Sequence, residues 1–193
     1  MKKLLLLAGF LAATASVFAQ GTISFANTST TLIRTNDVTT GNTGNMAGTA
    51  GAFHIELLVA PQGTSVAPDG ALGAWSIIAT ATNSPSLAGR FFGGAVTNTL
   101  TSAGGPMAVM VRAWLKMGSE GSFDEAIRSR GQSGILQLAG SGNPNPPATP
   151  ASAIFGAGLL QGFDVVVQPI PEPSSIALGL LGLGALALIR RRK

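Results

Sequence analysis

Apolar and polar residues alternate along residues 53–60. Phe53, Ile55, Leu57 and Val59 fall on one side of an extended chain, His54 and Glu56 on the other. This is the clearest strand signal in the chain. Thr22-Ile23-Ser24-Phe25 alternates the same way and predicts a first strand. Residues 75–82, 95–100 and 163–168 predict further strands, with 87–92 and 135–138 as weaker ones. Residues 107–114 form a long apolar run in which Val109 and Val111 face one way and Met110, Arg112 and Trp114 the other.

Turn chemistry fills the gaps. Residues 39–52 are rich in Gly, Thr and Asn and read as a long loop or ragged hairpin. Residues 61–73 carry Pro61, Gly63, Pro68 and Asp69-Gly70 and read as a turn-rich connection. Residues 140–150 hold four prolines and read as a loop or an extended polyproline segment. The rhythm changes at Ser122-Phe123-Asp124-Glu125. Ser122 with Glu125 three residues later matches a capping box, and Gly131 is placed to close a helix. Asp124 and Arg128 stand four apart, a pair worth about 0.3 kcal/mol on a helix. The pattern predicts one short helix over 123–129. The fold class expected is therefore all-β, a β-sandwich or jelly roll with that one helix, followed by a C-terminal transmembrane helix.

The two ends of the chain follow other rules. After Ile170 comes Pro171-Glu172-Pro173-Ser174, then an apolar run over 175–189, then Arg190, Arg191, Arg192 and Lys193. Fifteen residues of helix span roughly 23 Å, short of the ~30 Å hydrocarbon core. Snorkelling basic side chains and a thinned bilayer make up the difference. The four basic residues are a membrane stop that stays cytoplasmic, so the chain ahead of Pro171 lies outside. At the N-terminus, Lys2 and Lys3 precede an apolar stretch from Leu4 to about Ala15. Val17-Phe18-Ala19 is a small-x-small cleavage signal, so cleavage is expected between Ala19 and Gln20. The expected organisation is a signal peptide at 1–19, an ectodomain at 20–169 and a sorting signal at 170–193. That signal comprises the motif 171–173, the helix 175–189 and the basic tail 190–193.

The order of Pro171-Glu172-Pro173, apolar helix and Arg-rich end resembles the PEP-CTERM sorting signal, with Ile170 where that family usually has Val. The resemblance implies that an exosortase-like processing enzyme cuts the tail near Pro171–Pro173 and passes the ectodomain to the cell surface or an exopolysaccharide matrix. Two further stretches resemble blocks found in PEP-CTERM proteins of Verrucomicrobia-like bacteria. They are Gln20-Gly21-Thr22-Ile23-Ser24-Phe25-Ala26-Asn27, and Val111-Arg112-Ala113-Trp114 leading to Gly121-Ser122-Phe123-Asp124-Glu125-Ala126. Neither brings a known site residue with it. The export route implies the Sec translocon and signal peptidase as further partners.

Charge changes the picture once the ends are set aside. The whole chain carries +4, but Lys2, Lys3 and the four terminal basic residues supply half of its twelve cations. Between Gln20 and Ile170, six basic residues stand against seven acidic ones, a net of −1. Bulk-charge binding of nucleic acid is not expected. The chain has no cysteine, so neither disulfides nor thiolate chemistry enter.

Candidate chemistry is sparse. His54 is the one histidine; with Glu56 two residues on, it suits an oriented base or half a metal site, but further ligands at useful spacing are not legible. It reads as a half-exposed strand histidine. Asp124 and Glu125 suit a glycosidase pair, but adjacent carboxylates at a helix start serve the cap and dipole. Trp75 and Trp114 suit sugar stacking, but both lie in apolar strands and read as core. Gly182-Leu183-Gly184-Ala185-Leu186-Ala187 fits a dinucleotide fingerprint only formally, inside the apolar tail. No catalytic, cofactor or metal residue is assigned. The leading expectation is a non-enzymatic exported surface or matrix protein. A carbohydrate-binding module tied to exopolysaccharide is the alternative, and a glycoside hydrolase-like enzyme comes third.

Overall fold

The computed structural model describes residues 20–38, 40–68, 71–116, 121–145 and 147–168. The expected signal peptide up to Ala19 and the whole tail from residue 169 lie outside the described residues, including Pro171, Glu172, Pro173, the expected transmembrane helix and Arg190–Lys193. Among the described residues no helix is long and apolar enough to cross a membrane.

What is described is all-β. Eleven strands follow in chain order: β1 (Gly21–Ala26), β2 (Arg34–Asp37), β3 (Asn42–Asn45), β4 (Phe53–Pro61), β5 (Ser76–Thr82), β6 (Phe92–Asn98), β7 (Met107–Leu115), β8 (Ser129–Gln132), β9 (Leu136–Leu138), β10 (Ser152–Ala153) and β11 (Asp164–Val167). One sheet runs β10-β1-β6; the other runs β3-β2-β11-β8-β7-β4-β5, with β9 also pairing β7. Most pairs are antiparallel, but β1 with β10 and β11 with β2 are parallel.

The alternation explains how the sheets meet. Ile23 and Phe25 of β1 point inward against Ile55, Leu57 and Val59 of β4 and Val109 and Val111 of β7, in one shared core. Phe91 and Phe155 complete it, Phe91 standing 4.9 Å from the Phe25 ring and 5.8 Å from that of Phe155. β4 and β7 are buried on both faces. On the outer face Leu58, Ala60, Ala108 and Met110 pack under Trp75, which the 61–75 connection lays across them. That double burial is why the two strands read as nearly continuous apolar runs.

Two asparagines hold loops to this frame. Asn27 accepts from Phe91 N and donates to the carbonyls of Thr31 and Gly89. Asn83 accepts from Phe53 N and donates to those of Gly48 and Thr49. Both are buried, so each pairing removes polar groups that would otherwise be stranded. A bulge at Gly93-Gly94 lets β6 pass Phe25: the register shifts between Phe25 and Ala26, and a side chain at Gly93 would collide with the Phe25 ring.

The helix expected over 123–129 does not form. Half of its capping box does: Glu125 N donates to Ser122 Oγ at 3.3 Å, while the Glu125 carboxylate accepts from Gly121 N at 2.7 Å in place of Ser122 N. One backbone bond of α-helical spacing follows, Ala126 N to Ser122 O, and then a tighter turn bond from Ser129 N to Ala126 O. At Ser129 the chain enters β8, where pairing with β7 and β11 offers a ladder that an isolated turn of helix lacks. Gly131, expected as a helix stop, sits inside that strand opposite Ala113. The stretch expected over 39–52 to be a long loop or ragged hairpin contains β3, which forms an antiparallel hairpin with β2.

Candidate functional site

The polar positions of the central strands converge on the outer face of the larger sheet. Register places His54 opposite Trp114 and Glu56 opposite Arg112 across β4 and β7. β8 continues the rows, with Arg130 opposite Trp114 and Gln132 opposite Arg112. Two rows of side chains thus cross three strands, and the 121–128 turn folds over them.

Phe123 from that turn is the hub. Its ring meets Trp114 edge-on at 6.3 Å between centroids. The Arg112 and Arg130 guanidiniums lie 4.7 and 5.0 Å from its centroid. Phe123, Trp114 and Ala126 form a small buried cluster of their own. The two halves of the 111–126 stretch that sequence alone sets apart are therefore one packing unit, a strand and the turn that covers it.

Charges are paired within the unit. Arg112 Nε donates to Glu56 Oε2 at 2.6 Å, with both side chains nearly withdrawn from solvent. Arg130 reaches Asp124 at 3.8 Å, half-exposed. The Asp124–Arg128 pair expected on a helix is thus replaced by Asp124–Arg130, because the chain is already extended at Arg130. His54 stacks on Trp114, rings 5.3 Å apart and 23° from parallel. Glu56 spends its hydrogen bond on Arg112, so the base-and-carboxylate arrangement considered for His54 and Glu56 is not assembled.

Beside the unit lies an open cleft of about 290 Å³, lined by Ala67, Pro68, Phe123, Asp124, Arg130 and Gln132 among others. A second, of about 330 Å³, lies between Thr30, Arg34, Gln161 and Asp164. Both are shallow and polar. Asp124 and Glu125 are exposed neighbours on one turn, tied to Arg130 and to Gly121 N, and do not face each other across a cleft. Trp75 and Trp114 are both buried, Trp75 with its indole N–H donated to Val66 O at 2.8 Å. Among the described residues no group of three or more His, Cys, Asp or Glu is placed to hold a metal ion. The covering role of Phe123 and the two asparagine staples are what sequence reasoning missed. The capping box gave the turn but not where it docks.

Gln20 is exposed, one residue ahead of β1, where cleavage after Ala19 would leave a free end. At the other end β11 delivers the chain to residue 168, one residue before the tail. No curated protein and no solved structure matches the chain. Residues 169–193 match the PEP-CTERM protein-sorting motif, so the chain carries the C-terminal signal that marks exosortase-targeted, C-terminally anchored surface proteins.

Proposed function

We propose that this is an exported cell-surface or extracellular-matrix protein whose β ectodomain is non-enzymatic and is delivered by its C-terminal signal. The match of residues 169–193 to the sorting motif carries the reading. In it the Sec translocon takes the chain across the inner membrane and signal peptidase cuts after Ala19. The 175–189 helix then holds the chain transiently, with Arg190–Lys193 on the cytoplasmic side. An exosortase-like enzyme works at Pro171-Glu172-Pro173, and the ectodomain passes to the surface or the exopolysaccharide matrix.

A structural role in that setting is consistent with the ectodomain: the charges under Phe123 are paired, both tryptophans are buried, and the clefts are open and polar. Sugar stacking needs an aromatic face open to solvent, whereas Trp75 and Trp114 lie in the interior, Phe123 is flanked by two guanidiniums, and Phe92, though 55% exposed, has the Arg90 guanidinium 4.8 Å from its ring centroid. The carbohydrate-binding reading therefore has no specific support from the site. The test is mass spectrometry of surface-released protein from the native host. A mature chain that begins at Gln20 and lacks residues 175–193 supports the reading. A surface chain that keeps those residues leaves a plain anchor in its place.

A further inference from the structure

The strand that leads into the sorting signal also fixes which end of the ectodomain faces the membrane. β11 ends at Val167, and the apolar run begins at Ser175. The seven residues between them span at most about 25 Å when fully extended. A domain of roughly 150 residues has a radius of gyration near 15 Å and is on the order of 35–40 Å across. The tether is shorter than the domain is wide, so the end of the sheet at Val167 must lie close to the bilayer while the tail is inserted.

That end exposes two aliphatic side chains beside the exit. Val38 N donates to Val167 O at 3.1 Å on one side of the exit, and Gln168 N donates to Arg128 O at 2.6 Å on the other. The side chains of Val38 and Ile127 are 53% and 63% exposed, two of the seven large apolar residues left in solvent among the described residues, of which Val66 is the most exposed at 76%. Both stand within two residues of the exiting chain. Lys116 is exposed at the same end, one residue past Leu115, whose carbonyl accepts from Ser129 Oγ at 2.9 Å. Two exposed aliphatic side chains beside the exit fit the boundary between lipid headgroups and acyl chains, and the long side chains of Arg128 and Lys116 can reach its phosphates. Three acidic residues share this end: Asp37, its carboxylate engaged by the Thr40 hydroxyl at 2.9 Å, and Asp124 and Glu125, exposed on the turn that carries Ile127 and tied to Arg130 and Gly121 N.

We infer that the rim formed by Val38, Ile127, Arg128 and Lys116 docks on the outer surface of the lipid bilayer while the tail anchors the chain. The inference rests on the anchoring reading above. It gives the ectodomain a fixed orientation before processing, with the end at Pro61 and Met107 directed away from the membrane. Met107 lies seven residues along β7 from Trp114, which pairs with Arg130 near the docking end, a separation of roughly 23 Å.

The chain has no cysteine, so single-cysteine variants can be labelled cleanly. Val38→Cys, Ile127→Cys and, as the distal control, Gln62→Cys are made in the full chain and labelled with a fluorophore. Each is reconstituted into vesicles of three parts phosphatidylethanolamine to one part phosphatidylglycerol, some carrying a headgroup-level spin-labelled lipid as quencher. The expected result is several-fold stronger quenching at positions 38 and 127 than at 62. Equal quenching at all three positions overturns the inference, because the domain then tumbles freely on its tether. Quenching at none of them while the vesicles still carry the chain overturns it too. Protection at 38 and 127 that arises only on adding a processing enzyme assigns the rim to a protein partner instead. Flotation separates the two readings: if a chain ending at Gln168 floats with the vesicles as well as the full chain does, the tail is not the anchor and the parent reading fails.

Discussion

Glu56 and Arg112 face each other across β4 and β7, with Arg112 Nε 2.6 Å from Glu56 Oε2. Their side chains are 10% and 4% exposed. At that burial the pair is valuable mainly because neither charge can be left alone. Removing one partner, as in Glu56→Ala or Arg112→Ala, should cost about 3 kcal/mol or more. Arg112→Ala also strips one guanidinium from the Phe123 ring. Replacing both residues by leucine should cost clearly less than the sum of the two single changes. Urea unfolding of the four proteins measures this, and strict additivity would show that the pair is not coupled.

His54 lies against Trp114 as a plate against a plate, at 5.3 Å. The stack adds a modest term to a residue otherwise facing outward, so His54→Ala should lower stability by about 1 kcal/mol or less. Trp114→Ala should cost about 3–5 kcal/mol, because it empties the space between His54 and Phe123. Thermal unfolding ranks the two. A histidine variant as damaging as the tryptophan variant would assign His54 a role that this packing does not give it.

Gly131 is where β8 comes closest to β11. A methyl group added there would sit on the Asp164 carbonyl oxygen and crowd Val165. Since the obstacle is backbone of a neighbouring strand, Gly131→Ala should destabilise by about 3 kcal/mol through forced separation of the strands. Gly134 is the matched control, with open space around its position and no left-handed backbone. Gly134→Ala should be neutral or gain a few tenths of a kcal/mol by restricting the unfolded chain. Equal effects at the two positions would mean that β8 and β11 are not packed as described.

How far the sequence speaks depends on who supplies each strand's reason for being extended. β1, β4, β7 and β11 carry their own alternation or apolar run and are legible without a structure. β2, β3 and β8 read Arg-Thr-Asn-Asp, Asn-Thr-Gly-Asn and Ser-Arg-Gly-Gln. Nothing in such tetrapeptides asks for a strand; a neighbour with unpaired backbone groups does. Residues 123–129 fail for the related reason that a local capping signal is worth less than the ladder available from Ser129 onward. At the site, His54, Glu56, Arg112 and Trp114 could be placed on polar faces from the pattern alone. Their partners could not, because pairing depends on register between strands more than fifty residues apart. The sorting signal is different in kind. It is recognised as a linear string, so its residues are all visible in the sequence.

The tail yields the most direct prediction. Pro171 and Pro173 fix φ and withhold two backbone donors. Glu172 is the single charge between Asp164 and Arg190, and on the proposed reading the charge that a membrane-surface enzyme reads. The four terminal cations oppose passage of the end across the membrane independently of that triplet. Recognition and retention should therefore separate. Changing Pro171-Glu172-Pro173 to alanines should leave export intact and trap the uncut protein in the inner membrane. Changing Arg190–Lys193 to serines should instead weaken retention and orientation while the triplet stays readable. Membrane fractionation with mass spectrometry of each fraction distinguishes the two variants. Normal release of the alanine variant, cut at the same place as the parent, would mean that the triplet is not the element being read.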